Sequence, residues 1–179
     1  MERIPTAIPA VVCIVPGRHG DERGFFSETF RAEWFPDLDF VQDNHSLSAK
    51  EGTLRGLHFQ VPPRAQDKLV RVVRGRILDI AVDLRHGSAT FGQHVAVELG
   101  ADNWEQLLVP KGFAHGFVTL EPDTEVVYKG TDYYSADHDK GLQWDDSDLG
   151  IDWGVPVPIL SDRDRQHPTL SALPEYFRI

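Results

Sequence analysis

The sequence is poor in cysteine, in positive charge and in long apolar runs. Its single cysteine, Cys13, cannot form an internal disulfide, which fits a reducing compartment. No stretch is apolar for long enough to cross a bilayer. The opening MERIPTAIPA carries charges and prolines where a signal peptide needs an unbroken apolar run. We therefore expect a cytoplasmic protein with no membrane segment.

Acidic residues outnumber basic ones, 28 against 18, which gives a formal net charge of -10. Such a field repels phosphate backbones, so nucleic acid is disfavoured as a partner. A few converging arginines can still hold one small anionic ligand. The 179 residues are 41% hydrophobic and 26% charged, which is typical of a folded protein and predicts a single domain, residues 1–179.

Short strand patterns dominate the chain. The segment KLVRVVRGRILDIAVDL, residues 68–84, alternates and predicts a hairpin that turns at Arg74 and Gly75. Further strands are predicted at VVCIV (11–15), HVAVELG (94–100), QLLVP (106–110), HGFVTL (115–120) and TEVVYKGTDYY (124–134). Helical pattern is weak, with short turns near SETFRAEWF and around 170–176. Together these patterns indicate an all-β fold: an antiparallel sandwich, jelly roll or barrel.

A histidine interrupts the apolar strand pattern of TLRGLHFQ, residues 53–60. His58 carries a group whose charge changes near neutral pH, which a strand that only fills a core does not need. Strict alternation places His58 on one face with Gly56 and Gln60, and Arg55 on the opposite face unless Gly56 distorts the strand locally. Taken alone, such a histidine is more often a hydrogen-bonded core residue than a catalytic one. The alternative is that its face lines a pocket.

Two further pairs of polar residues depend on strand register. A two-residue turn in the predicted hairpin would make Lys68 and Asp79 diagonal neighbours on one face. An ion pair of this kind is usually a solvated surface feature, and periodicity does not decide between solvent and a pocket. His115 and Tyr128 would share a face only if the loop between their strands has four residues, so their convergence stays open.

Several stretches match one known family over nearly the whole chain. They are GDERGFFSETF, FVQDNHSLS, LRGLHFQ, DKLVRVVRG, DIAVDLR, SATFG, VPKGFAHGFVTL, YKGTDYYS, LQWDD, IDW and LSDRD. The chain thus resembles the dTDP-4-dehydrorhamnose 3,5-epimerase family, and LRGLHFQ followed by GFAHGF is a specific signature. The resemblance implies a cupin-type antiparallel jelly roll with a few short helices, no cofactor, and a homodimer whose subunits share their pockets. The implied ligand is a small-molecule dTDP-4-keto-6-deoxy sugar.

The resemblance also implies a catalytic set: His58, Lys68, Asp79, His115, Tyr128 and Asp164. Neutral His58 would remove the proton next to a ketone, with Asp164 orienting its ring. Lys68 would stabilise the enolate oxygen, and His115 and Asp79 would shape the site. Tyr128 would return a proton to the opposite face. The implied reaction inverts C3 and C5 of dTDP-4-dehydro-6-deoxy-D-glucose to give dTDP-4-dehydro-L-rhamnose, in dTDP-L-rhamnose biosynthesis.

A second implied set binds the substrate: Arg23, Glu28, Gln42, Asn44, Arg55, Lys68, His115, Tyr134, Asp139 and Arg163. Arginine suits the pyrophosphate because its guanidinium is a planar, forked donor. Glu28, Gln42 and Asn44 would recognise the thymidine, and Tyr134 would stack on the base. The chain departs from the family at two positions, since Arg163 stands where lysine is expected and Asp139 where glutamate is common. These departures leave the substrate detail open.

Three other functions compete with this one. A mono-epimerase would invert only C3 or only C5. A metal cupin, such as a non-haem iron dioxygenase, needs about three histidines and a carboxylate. LRGLHFQ supplies His-x-Gln where such a cupin has His-x-His, so we expect no metal, although PKGFAH resembles the second cupin half-motif. A non-catalytic sugar-nucleotide binding module is disfavoured because the base, its orienting acid and the tyrosine are all present.

Overall fold

A computed structural model describes every residue from 1 to 179. The first strands are β1 Glu2–Pro5, β2 Val12–Val15, β3 His19–Asp21, β4 Gly24–Phe26, β5 Gln42–Ser48, β6 Leu54–Gln60, β7 Lys68–Arg74 and β8 Arg76–Asp83. They are followed by β9 Arg85–His86, β10 His94–Gly100, β11 Gln106–Val109, β12 Phe113–Thr119, β13 Thr124–Gly130, β14 Asp139–Gly141 and β15 Phe177–Arg178. Three short 3-10 helices complete the secondary structure, at Ala32–Trp34, Asp164–Gln166 and Leu170–Ala172.

Most strands lie in two antiparallel sheets. The six-stranded sheet has the order β1-β2-β11-β7-β13-β5, and the five-stranded sheet has the order β10-β8-β12-β6-β14. Strands β3 and β4 form a separate hairpin, and β9 pairs with β15 in parallel. The predicted antiparallel jelly roll with short helices mainly near the C terminus is confirmed. No helix has the length and apolar character needed to cross a membrane.

The hydrophobic core is divided into three layers by the two sheets. The central layer lies between the sheets, because it combines side chains such as Val70 and Val126 of the six-stranded sheet with Ile77 and Phe117 of the five-stranded one. The outer face of the five-stranded sheet is covered by the chain from Leu142 onward. The outer face of the six-stranded sheet is covered by the segment 30–40. Both sheets are therefore held from both sides.

The predicted hairpin of residues 68–84 is wrong. Strands β7 and β8 follow each other directly but belong to different sheets, so they do not pair. Gly75 makes the crossing with a φ of +75°, and a Cβ there would overlap the Thr124 side chain. Lys68 and Asp79 therefore extend from opposite sheets and are not diagonal neighbours on one face. An alternating, valine-rich run with one glycine is compatible with a hairpin and also with two consecutive strands in different sheets. The sequence pattern alone therefore could not distinguish the two.

Candidate active site

A cavity of about 310 Å³ opens between the two sheets. It is lined by Ser46, Arg55, His58, Lys68, His115, Phe117, Tyr128, Ser161, Arg163 and Asp164. Five of the six residues in the implied catalytic set thus border one space, and the sixth, Asp79, lies behind His115. His115 and Tyr128 do converge, but from facing sheets and not from one hairpin.

A bulge in β6 brings Arg55 and His58 to the same side. His58 pairs with His115 and Arg55 pairs with Phe117. An advance of three residues along β6 therefore corresponds to only two along β12, so β6 contains one extra residue here. Gly56 lies inside this bulge with a φ of +133°, and a Cβ on it would lie 2.5 Å from the Cα of Gly116. Strict alternation would turn Arg55 away from His58, and the local distortion of the strand at Gly56 removes that separation.

The shortest polar contact in the cavity joins His58 to Asp164. The two groups come from β6 and from the 3-10 helix Asp164–Gln166, and His58 Nε2 lies 2.6 Å from Asp164 Oδ1. Ser161 donates its hydroxyl to the other carboxylate oxygen at 2.7 Å. Burial raises the pKa of Asp164, but the hydrogen bonds from His58 and Ser161 outweigh it and leave the pKa below its ordinary value.

This arrangement fixes the tautomer of the His58 ring. An ionised carboxylate can only accept hydrogen bonds, so Nε2 carries the proton that lies between His58 and Asp164. The lone pair of a neutral ring then resides on Nδ1. His58 remains about one-third exposed, at 31%, whereas Asp164 is almost fully buried. The geometry therefore provides an oriented base that is open to the cavity.

Lys68 and Tyr128 reach the cavity from the opposite sheet, on β7 and β13. Burial lowers the pKa of the Lys68 ammonium, while the nearby carboxylates of Asp139 and Asp79 partly counteract that shift. Burial raises the pKa of the Tyr128 phenol, so its proton stays in place at neutral pH. A molecule held between the sheets would meet His58 on one side and Tyr128 on the other.

His115 is held by a carboxylate of its own. Its Nε2 lies 2.8 and 3.0 Å from the two oxygens of Asp79, which is completely buried. Asp79 does not border the cavity, so it acts on the site through the His115 ring and through its charge near Lys68. Pairing with Asp79 also leaves His115 Nε2 poorly placed to join His58 as a ligand of a metal ion in the cavity.

The two departures from the family pattern contact each other. Arg163 donates from Nη2 to Asp139 Oδ2 at 2.6 Å, and this bond raises the pKa of the guanidinium. Asp139 belongs to β14, where it pairs with Gln60 of β6. Asp139 has a shorter side chain than the glutamate common at that position, and Arg163 has a longer one than the expected lysine. The longer cation reaches the shorter carboxylate, so the two departures form one matched pair at the rim of the cavity.

The side chains implied for thymidine recognition continue from the cavity along β5. Gln42 and Asn44 lie on the same strand face as the cavity residue Ser46, because they are four and two positions away from it, respectively. Gln42 Nε2 donates to Asn44 Oδ1 at 3.0 Å, and Gln42 Oε1 accepts the Tyr134 amide at 2.8 Å. Tyr134 itself is 57% exposed, so its ring face is free for stacking.

Four of the ten implied binding residues line this cavity and six do not, and two of those six, Arg23 and Glu28, lie on or beside the β3–β4 hairpin. Arg23 is 85% exposed at the tip of the β3–β4 hairpin, where its Nε donates to Asp21 Oδ2 at 3.1 Å. Glu28 follows the hairpin and lies 3.4 Å from Arg31. Neither borders the cavity that contains His58.

Sequence reasoning missed Ser161 and His167. Ser161 holds Asp164, and its position three residues before that aspartate was the available signal. His167 lies behind the dyad: its Nε2 is 3.7 Å from Asp164 Oδ1, and its ring meets the His58 ring edge-on at 5.5 Å. Burial lowers the pKa of His167. The structure also brings together three possible metal-ligand atoms, one each from His58, Asp164 and His167, within 4.8 Å of one another. These three residues could therefore hold a metal ion.

Comparisons with known proteins identify the family of this chain. The family model described as dTDP-4-dehydrorhamnose 3,5-epimerase matches residues 5–172. A protein of that name from Sinorhizobium fredii is 52% identical over 177 residues, covering 96% of this chain and 91% of the relative.

Two solved structures share the fold closely. A dTDP-4-dehydrorhamnose 3,5-epimerase from Bacillus anthracis, with TDP and PPi bound, is 51% identical with a TM-score of 0.91, covering 94% of this chain and 98% of that one. A dTDP-6-deoxy-D-glucose-3,5-epimerase from Legionella pneumophila, in complex with dTDP-4-keto-L-rhamnose, is 41% identical with a TM-score of 0.95, covering 99% and 98%. This chain therefore belongs to the dTDP-4-dehydrorhamnose 3,5-epimerase family.

Proposed function

We propose that this protein epimerises C3 and C5 of dTDP-4-dehydro-6-deoxy-D-glucose, giving dTDP-4-dehydro-L-rhamnose for dTDP-L-rhamnose biosynthesis. The observation that carries the proposal is the 2.6 Å contact between His58 and Asp164 on one wall of a cavity whose opposite wall presents Tyr128. Family membership supports the same reaction.

His58 is the base in this proposal. A C–H bond beside the C4 ketone is acidic enough to ionise when a base takes the proton and a cation stabilises the enolate oxygen. His58 Nδ1 takes the proton, and the resulting imidazolium is stabilised by Asp164 through Nε2. The ammonium of Lys68 stabilises the charge that develops on the C4 oxygen. No metal or redox cofactor takes part in any of these steps.

Tyr128 delivers the new proton. His58 and Tyr128 belong to facing sheets, so a sugar ring between them loses a proton on one face and gains one on the other. That exchange inverts the carbon. The raised pKa of the Tyr128 phenol keeps the proton available until an enolate carbon accepts it. Repeating the cycle at the second carbon next to the ketone completes the double inversion.

The nucleotide end of the substrate lies along β5 in this proposal. Arg55 and Arg163 border the cavity and supply guanidinium donors for the pyrophosphate. Gln42 and Asn44 recognise the thymine through amide groups, and Tyr134 stacks on the base from its exposed position. His115, held by Asp79, positions the sugar beside Lys68.

A second subunit completes the pocket in this proposal. Arg23 and Glu28 lie on and beside the β3–β4 hairpin, which pairs with no other strand of its own chain. The hairpin exposes Phe25 and Phe26, at 51% and 67%, as a surface that another subunit can cover. We infer a homodimer in which each hairpin brings Arg23 and Glu28 to the partner's cavity.

The test is incubation with dTDP-4-dehydro-6-deoxy-D-glucose in D₂O, without added cofactor, after chelator treatment. The proposal predicts a product inverted at C3 and C5 with deuterium at both carbons, detected by NMR. Labelling and inversion at only one carbon would instead identify a mono-epimerase. Failure of the chelated protein to exchange either carbon would contradict the proposed reaction.

A further inference from the structure

Behind the His58–Asp164 pair lies a third side chain that the proposed reaction does not use. His167 is nine-tenths buried, and its Nε2 has no hydrogen-bond partner although it lies 3.7 Å from Asp164 Oδ1. Leaving a buried polar atom unpaired costs about 1–3 kcal/mol. His167 does not border the substrate cavity, so its ring approaches the pair from the side away from that cavity.

The fold makes room for this ring. Gly141 of β14 pairs with His58 of β6, and a Cβ at position 141 would overlap the His167 ring. His167 also follows Asp164 by three residues across the 3-10 helix, which places both side chains on one side of that turn. Two independent parts of the backbone therefore direct the His167 imidazole toward Asp164.

The three groups form a set that borderline transition metals prefer. Two imidazole nitrogens and one carboxylate oxygen are common ligands of Zn²⁺, with bonds of about 2.0–2.2 Å, so neighbouring ligands of a tetrahedral ion lie about 3.3 Å apart. The observed separations from Asp164 Oδ1 are 2.6 Å to His58 Nε2 and 3.7 Å to His167 Nε2. These two separations differ from 3.3 Å by less than about 1 Å, and all three candidate ligand atoms lie within 4.8 Å of one another. Ser161 already holds the remaining carboxylate oxygen, as an outer-shell partner should.

We propose that His58 Nε2, Asp164 Oδ1 and His167 Nε2 form an inhibitory site for Zn²⁺ or a similar divalent transition metal. Its existence depends only on this geometry, whereas its inhibitory effect rests on the proposed role of His58 as the base.

The effect follows from the proton count on the His58 ring. A metal on Nε2 displaces the proton that Nε2 donates to Asp164. A neutral imidazole retains one proton, which then resides on Nδ1, so the ring gains no net charge. Nδ1 no longer has a lone pair for the substrate, and Asp164 is no longer free to stabilise an imidazolium. The ion lies behind the ring, so substrate still binds, and inhibition lowers kcat more than it raises KM.

The first measurement is metal binding itself, on full-length protein freed of metal by chelation. Titration calorimetry with Zn²⁺ should give one site per chain, and Co²⁺ should give the intense visible absorption of a low-coordinate site. His167→Asn and His167→Gln should weaken Zn²⁺ binding by on the order of 100-fold or more, since even outer-shell changes cost 10–100-fold. His45→Asn, which removes an exposed histidine on β5, should leave binding unchanged. Thermal melts verify that the variants are folded.

The second measurement is deuterium exchange with and without Zn²⁺. Stoichiometric Zn²⁺ should stop exchange by the wild type, EDTA should restore it, and His167→Asn should keep its activity in Zn²⁺. The metal site is contradicted if the wild type binds no Zn²⁺, or if His167→Asn and His167→Gln bind it as tightly. Binding that depends on His167 while exchange continues would support the site and contradict His58 as the base.

Discussion

At the scale of single residues, the site depends on which nitrogen of His58 faces the substrate. Asp164 is buried, ionised and supported by Ser161, so it selects the ring tautomer with the proton on Nε2. That selection leaves Nδ1 as the basic atom. The proposed partners Lys68 and Tyr128 lie on the other sheet. Burial raises the pKa of the Tyr128 phenol, as a proton donor requires, whereas it lowers the pKa of the Lys68 ammonium, and the carboxylates of Asp139 and Asp79 partly counteract that loss.

Replacing Tyr128 with phenylalanine removes the proposed proton donor and leaves the base intact. We expect turnover to fall by about 10²- to 10⁴-fold, the usual contribution of general acid catalysis. His58 can still remove a proton and return deuterium to the same face, so recovered substrate should exchange in D₂O faster than product forms. Mass spectrometry of both species measures the two rates.

Tyr133→Phe is the matched control for that experiment, because Tyr133 is 60% exposed and does not border the cavity. It should behave as the wild type. An equal loss of substrate exchange and product formation in Tyr128→Phe would remove the tyrosine from its proposed role.

Individual residues could be predicted from sequence only to a limited extent. The resemblance pointed to His58, Lys68, His115, Tyr128 and Asp164, which the fold gathers around one cavity. The contact between Arg163 and Asp139 was hidden, because residues 24 positions apart carry no local signal of pairing. His167 was missed for a similar reason: its contact with Asp164 is local, but its significance depends on Gly141 and His58 in distant strands.

At the scale of secondary-structure elements, the bulge in β6 decides which side chains face the substrate. Regular alternation would separate Arg55 from His58, since they are three positions apart. The close approach of Gly56 to Gly116 lets the two strands shift register between these residues. One glycine contact therefore places the Arg55 guanidinium, proposed to bind the pyrophosphate, on the same cavity wall as the proposed base.

A Gly116→Ala variant tests the importance of that bulge. The added methyl would lie 2.8 Å from the Arg55 carbonyl oxygen and 3.0 Å from the Gly56 Cα. We expect the free energy of unfolding to fall by about 2 kcal/mol, as for other overpacked sites. We also expect kcat/KM to fall, because Arg55 and His58 lose their alignment. Denaturant melts and steady-state rates measure the two effects.

Gly17→Ala provides the comparison, since its Cβ would meet only His19 Nε2 at an ordinary 3.8 Å. That variant should retain wild-type stability and activity. Wild-type values for Gly116→Ala in both measurements would show that the bulge tolerates a methyl and would contradict its assigned role.

Strands with dense apolar content were predicted well, and polar or irregular elements were not. HVAVELG forms β10 over the predicted residues 94–100, because β-branched side chains alternate along it. Strand β5, with the sequence QDNHSLS, was not predicted because it is a largely polar edge strand. The pairing partners of β7 and β8 could not be derived either, because sheet assignment depends on contacts that are distant in sequence.

At the scale of the whole molecule, the unusual feature is the β3–β4 hairpin. It contacts the body of the chain through Trp104, whose ring meets Phe25 edge-on at 4.7 Å and whose Nε1 donates to Ser27 Oγ at 3.0 Å. Its Arg23 remains exposed. An anchored base and an exposed, charged tip suit a hairpin that reaches into a neighbouring subunit.

Mixed dimers test the sharing of pockets directly. Arg23→Ala and His58→Asn chains should each have low activity alone. When the two chains are co-expressed in equal amounts, half of the dimers contain one chain of each kind. In each of these mixed dimers, one of the two pockets contains both wild-type residues. Activity should therefore rise to about a quarter of the wild-type rate per chain. If the pockets are not shared, the activity of the mixture will equal the average of the activities of the two variants.

The role of His58 is measured by the loss of deuterium from substrate labelled at C3 and C5, followed in H₂O with wild-type and His58→Asn protein. One base serves both carbons, so the variant should lose deuterium at least about 10²-fold more slowly at each position, in parallel. His45→Asn should match the wild type. Loss of deuterium from either carbon at the wild-type rate in His58→Asn would contradict the proposal that His58 removes both protons.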